Sequence, residues 1–281
     1  MSESAEQERP IREEPDREGS PPHGHSSLYR HDGDQLVPTE DAGNPWGELT
    51  GGGPVAGLLA RAVENALDDP DLFVARLTVD LLRPVPRVGL DVSTRTLRAG
   101  KRLQVIEASL NSEDAELSRA TAQVLRHSDV GGEVPDSPAP LPPPDELEAG
   151  SLLPAGLGLR WGVHDVVEVR WAADQFGESP SRAWMRLPRT LVPGEALTPL
   201  THTAVLVDCI SAASPLGPIF GPWINTDITL YLQRPLEGEW LGVEIDRDVQ
   251  PTGIGVARAR LYDQRGAIGS ASEAVMVNQL G

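Results

Sequence analysis

The sequence predicts an α+β fold in which two units, each a long helix packed on an antiparallel sheet, are fused in one chain. Two observations carry this prediction. The halves of the chain resemble each other on either side of a Pro-rich stretch, and each half has an apolar, helix-compatible segment followed by strands of alternating polarity. A helix laid on one face of an antiparallel sheet buries the apolar sides of both elements.

The internal repeat is the strongest signal. Arg83-Pro84 in the first half matches Arg234-Pro235 in the second at an offset of 151 residues, and Thr78 and Thr229 fall in register at the same offset. Each Arg-Pro pair is followed by three alternating segments, which predict an antiparallel meander. The turns are expected at residues 98–100, 111–114, 250–253 and 263–266.

Each meander is preceded by a helical segment. The first, at residues 54–67, follows three glycines and carries Pro in its first turn. The second, at residues 198–213, has Thr198 as a candidate N-cap and is apolar nearly all round, as a helix wrapped by a sheet should be. Alternating residues at 166–171 and 182–187 predict two further strands.

Composition sets the boundaries of the units. Residues 1–40 are rich in charged residues, Ser, Pro and Gly, which predicts a disordered acidic tail. Residues 128–150 are rich in Pro and Gly and predict an extended linker. The two units are therefore expected at residues 41–127 and 151–281.

The charge pattern bears on partners. The formal net charge is −18, which disfavours binding to nucleic acid or to an anionic membrane surface. The lone Cys209 rules out a disulfide framework within the chain. No signal-peptide core and no apolar run long enough for a membrane span are present, so we expect a cytoplasmic protein without membrane insertion.

Several segments resemble the acyl-CoA thioesterase II type, a family of fused double hotdogs. They are WGELTGGGPVAGLLARAVE, THTAVLVDCIS and INTDITLYLQRP, and with the strands around them the resemblance runs from about residue 46 to 279. It implies a double hotdog fold and hydrolysis of acyl-CoA to free acid and CoA, with no metal or redox cofactor. Because hotdog units commonly associate edge to edge, it also favours a homo-oligomer.

The resemblance also implies a set of catalytic residues. In this family an Asp on the second helix, a Thr or Ser on the next strand and a Gln on the last strand orient the attacking water. Asp208 matches the Asp and lies in an apolar run, where a buried acid is a candidate general base. Asn225 and Ser272 stand where the Thr and the Gln are expected; the Asn amide can still donate and accept hydrogen bonds.

Gly51, Gly52 and Gly53 precede the first helix. Free backbone N–H groups at a helix N-terminus could bind the thioester oxygen or a phosphate, which makes them candidate substrate-binding residues. A close-packed turn, in which side chains would clash, explains the same glycines.

Two alternatives to hydrolysis remain at this point. The protein could be a non-catalytic double hotdog that binds acyl-CoA or a partner protein, because the Thr and Gln positions are altered. A hydratase on the same fold would need an Asp and a His working together, and His164-Asp165 is the candidate pair. His202 fits a structural role in the first turn of the second helix better than a catalytic one.

Overall fold

The protein is described by a computed structural model that covers residues 25–113, 115–129, 131–132, 137–153, 159–172, 180–213 and 223–278. The helices are α1 (Gly52–Asn65), α2 (Val163–Val166), α3 (Pro199–Val207) and α4 (Ile210–Ala213). The strands are β1 (Tyr29–Asp32), β2 (Gln35–Pro38), β3 (Leu72–Asp80), β4 (Asp91–Arg98), β5 (Leu103–Ser112), β6 (Ala115–Arg126), β7 (Ala149–Gly150), β8 (Glu168–Trp171), β9 (Ser181–Arg186), β10 (Trp223–Asn225), β11 (Asp227–Leu232), β12 (Leu241–Val249), β13 (Ile254–Asp263) and β14 (Gly266–Val277).

Within these residues one antiparallel sheet of twelve strands spans both units. Its order is β4-β5-β6-β3-β11-β14-β13-β12-β9-β8-β7, and β10 pairs with β14. The first unit contributes β3 to β6 and the second contributes the rest. The α+β double hotdog architecture predicted from the sequence is thus confirmed. No helix of the described part is both long and apolar enough to cross a membrane.

The two units join where β3 pairs with β11. Thr78 lies directly opposite Thr229, and their hydroxyl oxygens are 3.5 Å apart. These are the residues that the 151-residue repeat places in register, so an approximate two-fold axis through this junction relates the units. The repeat in the sequence therefore corresponds to an approximate two-fold symmetry of the fold.

Helices α1 and α3 pack against each other in antiparallel directions inside the curled sheet. The contact is close because α1 presents glycines to α3: a Cβ atom added to Gly57 would lie 2.5 Å from the Val205 side chain. Thr198 caps α3 as predicted, accepting a 3.1 Å hydrogen bond from the Thr201 backbone N–H. The predicted second helix is divided into α3 and α4, with Asp208 and Cys209 between them.

The prediction that residues 1–40 are disordered is wrong for the last part of this segment. Strands β1 and β2 form a hairpin, and the Leu28 and Tyr29 side chains are fully buried. The backbone N–H groups of these two residues donate to the carbonyls of Thr190 and Leu191 in the second unit. A few apolar residues in a polar stretch were enough to order it, and an average over forty residues hides them. Residues 1–24 of that prediction lie outside the described residues.

The prediction of an extended linker over residues 128–150 is also wrong for its last part, which packs on the sheet. The Pro142 carbonyl accepts a 2.7 Å hydrogen bond from Trp184 Nε1, and β7 (Ala149–Gly150) extends the sheet beside β8. An extended Pro-rich chain keeps its carbonyl oxygens free, so it can pack on a sheet through such bonds. Residues 130 and 133–136 lie outside the described part.

Candidate active site

A cavity of about 390 Å³ opens where the start of α1, the end of α3 and strand β10 meet. Its walls are mainly apolar, with Trp46, Leu49, Val55, Leu81 and Trp223 among them. A concave, largely apolar site with a few polar groups is the usual form of a small-molecule site. Four of the residues expected to act on substrate line it, namely Gly51, Gly52, Asp208 and Asn225.

Asp208 directly follows α3 as its C-cap, and two hydrogen bonds fix its carboxylate. Asn225 Nδ2 donates to Asp208 Oδ1 at 2.8 Å, and the backbone N–H of Gly53 at the start of α1 donates as well. Burial raises the pKa of Asp208 above its usual value, while the two hydrogen bonds oppose the rise by favouring the ionised form. A carboxylate held in this way can accept a proton from a neighbouring water.

Asn225 reaches Asp208 because β10 and β11 pair with β14 one after the other, and the chain bends at Thr226 between them. Asn225 lies opposite Val275 and turns inward, whereas Thr226 at the bend is exposed. The first unit has the same register: Val74 lies opposite Val124, each 151 residues earlier. The Asn itself, and not the adjacent Thr, therefore occupies the strand position beside Asp208.

The prediction that Ser272 takes part in the site is wrong. Ser272 lies opposite Thr229 on one side and Arg258 on the other, on the outer face of the sheet, where Arg258 is exposed. Its neighbour Glu273 points inward and is fully buried. Because side chains alternate along a strand, the register expected from sequence was off by one residue, and one residue is enough to change the face.

Glu273 is the site residue that sequence reasoning missed. Its carboxyl lies near the acids Asp208 and Asp227, and burial together with these charges raises its pKa well above the usual range, although the Ser211 hydroxyl and backbone N–H oppose the rise. Two acids in one buried site cannot both ionise easily. The pKa of both acids is raised, and that of Glu273 is raised further, so we expect Glu273 to hold a proton more readily than Asp208 does. The signal in the sequence was the charged residue in an apolar strand.

The backbone N–H groups of Gly51, Gly52 and Gly53 differ in what they contact, so the three glycines do not share one role. The Gly51 N–H donates to the Ala42 carbonyl at 2.9 Å, and the Gly53 N–H donates to Asp208. Among the described residues the N–H of Gly52 has no such partner, and Gly52 lines the cavity. A Cβ atom on Gly52 would also collide with Asp208 Oδ1, so this position must stay small.

The two-fold axis generates a second, related position at the other end of the helix pair. There Glu64, near the end of α1, accepts hydrogen bonds from Thr198 at 2.6 Å and Thr201 at 3.0 Å. The strand positions that correspond to Asn225 and Glu273 at the repeat offset are Val74 and Ala122, both apolar and buried. Only the cavity position therefore has the full polar set.

The histidines behave differently from one another. His202 accepts a hydrogen bond from the Leu187 N–H at 3.2 Å, and burial lowers the pKa of His202 to about 4, so it is a neutral structural acceptor. His164 lines the cavity, and its Nε2 lies 3.1 Å from Asp165 Oδ2. Within the described ranges, no group of three or more His, Cys, Asp or Glu side chains could hold a metal ion.

Solved structures share this architecture. A hot dog fold protein of Alicyclobacillus acidocaldarius is 15% identical, with a TM-score of 0.68 over 91% of this chain and 97% of its own. The tesB protein of Mycobacterium avium subs paratuberculosis is 15% identical, with a TM-score of 0.62 over 89% and 95%. The acyl-CoA thioesterase II TesB2 of Mycobacterium marinum is 18% identical, with a TM-score of 0.60 over 81% and 88%. At these identities the likeness shows the fold.

The family models are more specific. An acyl-CoA thioesterase N-terminal domain matches residues 41–127, and an acyl-CoA thioesterase C-terminal domain matches residues 135–277. No curated protein gives a significant match to the sequence. Together the two domain matches span both helix-on-sheet units and the cavity between them, so the chain belongs to the acyl-CoA thioesterase family.

Proposed function

We propose that the protein hydrolyses acyl-CoA thioesters to free acid and CoA with Asp208 as the general base. The observation that carries this proposal is the Asp208–Asn225 pair at the wall of an apolar cavity. Water attacks the thioester carbonyl carbon while Asp208 takes one of its protons. The tetrahedral intermediate then collapses, the C–S bond breaks, and the proton passes from Asp208 to the departing CoA sulfur.

The remaining polar groups have separate tasks. The Gly52 N–H, at the positive end of the α1 dipole, stabilises the negative oxygen of the intermediate. Asn225 donates a hydrogen bond to Asp208 through Nδ2. The Oδ1 atom of Asn225 is then free to accept a hydrogen bond from the water. The protonated Glu273 confines the negative charge of the acid pair to Asp208. Gly52 and Asn225 line the cavity, and Glu273 lies close enough to Asp208 for the two charges to affect each other.

The cavity also separates the two ends of the substrate. Its apolar walls suit an acyl group. Arg83 lines the cavity from an exposed position, which suits a phosphate of CoA that remains in contact with water. The products, a free acid and CoA, would place the reaction in lipid metabolism.

The wild-type protein should release free thiol from acyl-CoAs, and Ser272→Ala should leave the rate unchanged within about twofold, because Ser272 lies on the outer face. The measurement is thiol release with short, medium and long acyl-CoAs for both proteins, together with ligand-binding titrations. A wild-type protein that binds acyl-CoA but releases no thiol would favour the non-catalytic alternative. A large loss of rate in Ser272→Ala would contradict the proposed geometry.

Asn225→Leu should move the acidic limb of the pH–rate profile to higher pH. The Asn225 hydrogen bond favours the ionised Asp208, so its loss raises the pKa of Asp208 further, and the base is protonated over a wider range. We expect kcat to fall by roughly tenfold at neutral pH, about the value of one hydrogen bond to a charged group, and to recover partly at higher pH. A fall that is the same at every pH would point to lost packing instead.

One observation favours a second candidate function. His164 and Asp165 do form the pair that a hydratase would need, and His164 lines the cavity. Incubation with a 2-enoyl-CoA separates the two reactions, since hydration removes the conjugated double bond without releasing thiol, whereas hydrolysis releases thiol. His164→Gln should abolish hydration under this second candidate and should leave hydrolysis within about tenfold under the first.

A further inference from the structure

Arg247 is a partly buried cation that has no charged partner among the described residues. It lies on β12, and burial is what lowers its pKa. Its Nη1 atom is buried and has no hydrogen-bond partner in the described part of the chain. An unpaired charge in a desolvated place costs free energy. Several other partly buried arginines of the described chain pair with carboxylates, whereas Arg76 and Arg170 do not; the paired ones are Arg61, Arg182, Arg186, Arg189 and Arg234.

The sequence places Arg247 on the inner face of the sheet. It continues the row of Val243 and Ile245, which are both fully buried, and it lies opposite Ala257 on β13. Because Ala257 has only a methyl group, the long Arg247 side chain can extend across β13. Its guanidinium carbon lies 5.7 Å from the centroid of the Trp223 ring, which stacks against the cation and lines the same cavity.

Arg247 faces the same cavity as Asp208 and is not one of its bonded partners. Both residues line the cavity, and among the described residues the Asp208 carboxylate is bonded to Asn225 and to the Gly53 N–H, not to Arg247. Asp208 lies at the end of α3 and Arg247 lies on β12, so the base and the cation border one largely apolar cavity from different elements.

We propose that Arg247 binds a carboxylate at the far end of the acyl group, so that the preferred substrates are ω-carboxyacyl-CoA thioesters. This inference rests on the proposed hydrolysis, because Asp208 marks the position of the thioester. A carboxylate would give the planar guanidinium the charged, two-point partner that the described residues do not supply. A phosphate of CoA is the other anion available, and the exposed Arg83 suits it better than the partly buried Arg247 does.

The test compares matched substrates. Succinyl-, adipyl- and suberyl-CoA are each paired with butyryl-, hexanoyl- and octanoyl-CoA, which have the same length without the carboxylate. We expect Arg247→Met to lower kcat/KM for the preferred ω-carboxyacyl-CoA by about 10- to 100-fold, the value of hydrogen bonds to a charged group, and to leave its unsubstituted partner within about threefold. Arg83→Met should lower kcat/KM for both members of each pair alike.

The outcomes separate the two proposals. If no acyl-CoA releases thiol, the proposed hydrolysis fails, and titration of wild type and Arg247→Met with hexanoate and with hexanamide, which has the same length without the charge, followed by Trp fluorescence, still tests the carboxylate site. Hexanoate that binds wild type more tightly than Arg247→Met, with hexanamide binding both proteins alike, supports it. If Arg247→Met weakens both members of each pair equally, or neither, the inference is overturned. A melting temperature no lower than that of wild type shows that the variant folds.

Discussion

Asp208→Asn should reduce kcat for acyl-CoA hydrolysis by about 10²- to 10⁴-fold, the usual contribution of a general base. The Asn side chain has the same shape and can still accept the Asn225 hydrogen bond through its oxygen, but it cannot take a proton from water. Acyl-CoA binding should therefore persist while turnover is lost. The measurement is single-turnover thiol release together with a binding titration of the same acyl-CoA.

The matched control for this variant is Asp227→Asn. Asp227 lies two residues beyond Asn225 and accepts a 2.8 Å hydrogen bond from the Ala274 N–H, and it is not among the residues that line the cavity. It should retain kcat within about threefold. If Asp208→Asn kept a third or more of the wild-type kcat, Asp208 would not be the base, whatever its position in the cavity.

The pH dependence of the wild type follows from the same group. Burial raises the pKa of Asp208, so the base becomes protonated at a higher pH than an exposed Asp would. The acidic limb of kcat should therefore lie above the ordinary titration range of an aspartate, and it should vanish from the residual rate of Asp208→Asn. The sign is fixed because hydrolysis needs the ionised form.

The fold could be predicted from the sequence because its main signals are long and redundant. The repeat recurs over a whole unit, and Thr78 and Thr229 meet at the offset that the sequence predicts. Asp208 could be identified for a related reason: an acid in an apolar helical run has few explanations. Both inferences depend on averages over many residues, so small errors in local boundaries did not affect them.

The strand residues of the site could not be predicted with the same certainty. Ser272 and Glu273 are adjacent, and the choice between them depends on a register that a bulge or a one-residue slip reverses. The hairpin formed by β1 and β2 was missed because its order comes from contacts with Thr190 and Leu191, far away in the chain. The position of Arg247 in an apolar cavity is likewise visible only in the folded chain, where β12, β13 and Trp223 lie side by side.

Glu273→Gln should stabilise the protein at neutral pH and change the rate much less than Asp208→Asn does. Glu273 is fully buried, and its pKa in the folded protein is raised well above its usual value by burial and by the charges of Asp208 and Asp227. Gln has nearly the same shape and is neutral at every pH, so it can replace the protonated Glu. We expect kcat to remain within about tenfold of wild type.

The sign of the stability change depends on pH. Below about pH 4 the Glu is protonated in both the folded and the unfolded chain, so the variant gains nothing. As the pH rises, the unfolded chain ionises first, and the wild type progressively loses stability until the folded Glu273 also ionises. The gain of the variant should therefore grow from near zero at about pH 4 as the pH rises, until the folded Glu273 ionises.

Thermal unfolding from about pH 4 to about pH 8 is the measurement, and each kcal/mol of gain should raise Tm by about 2–4 °C in a chain of this length. The matched control is Glu244→Gln on the outer face of β12, which loses a 2.7 Å ion pair with Arg182 and should gain no stability at any pH. A Glu273→Gln variant that is less stable than wild type at about pH 8 would mean that Glu273 is ionised and well solvated. Both acids would then carry negative charge, and the charge would no longer identify Asp208 as the base.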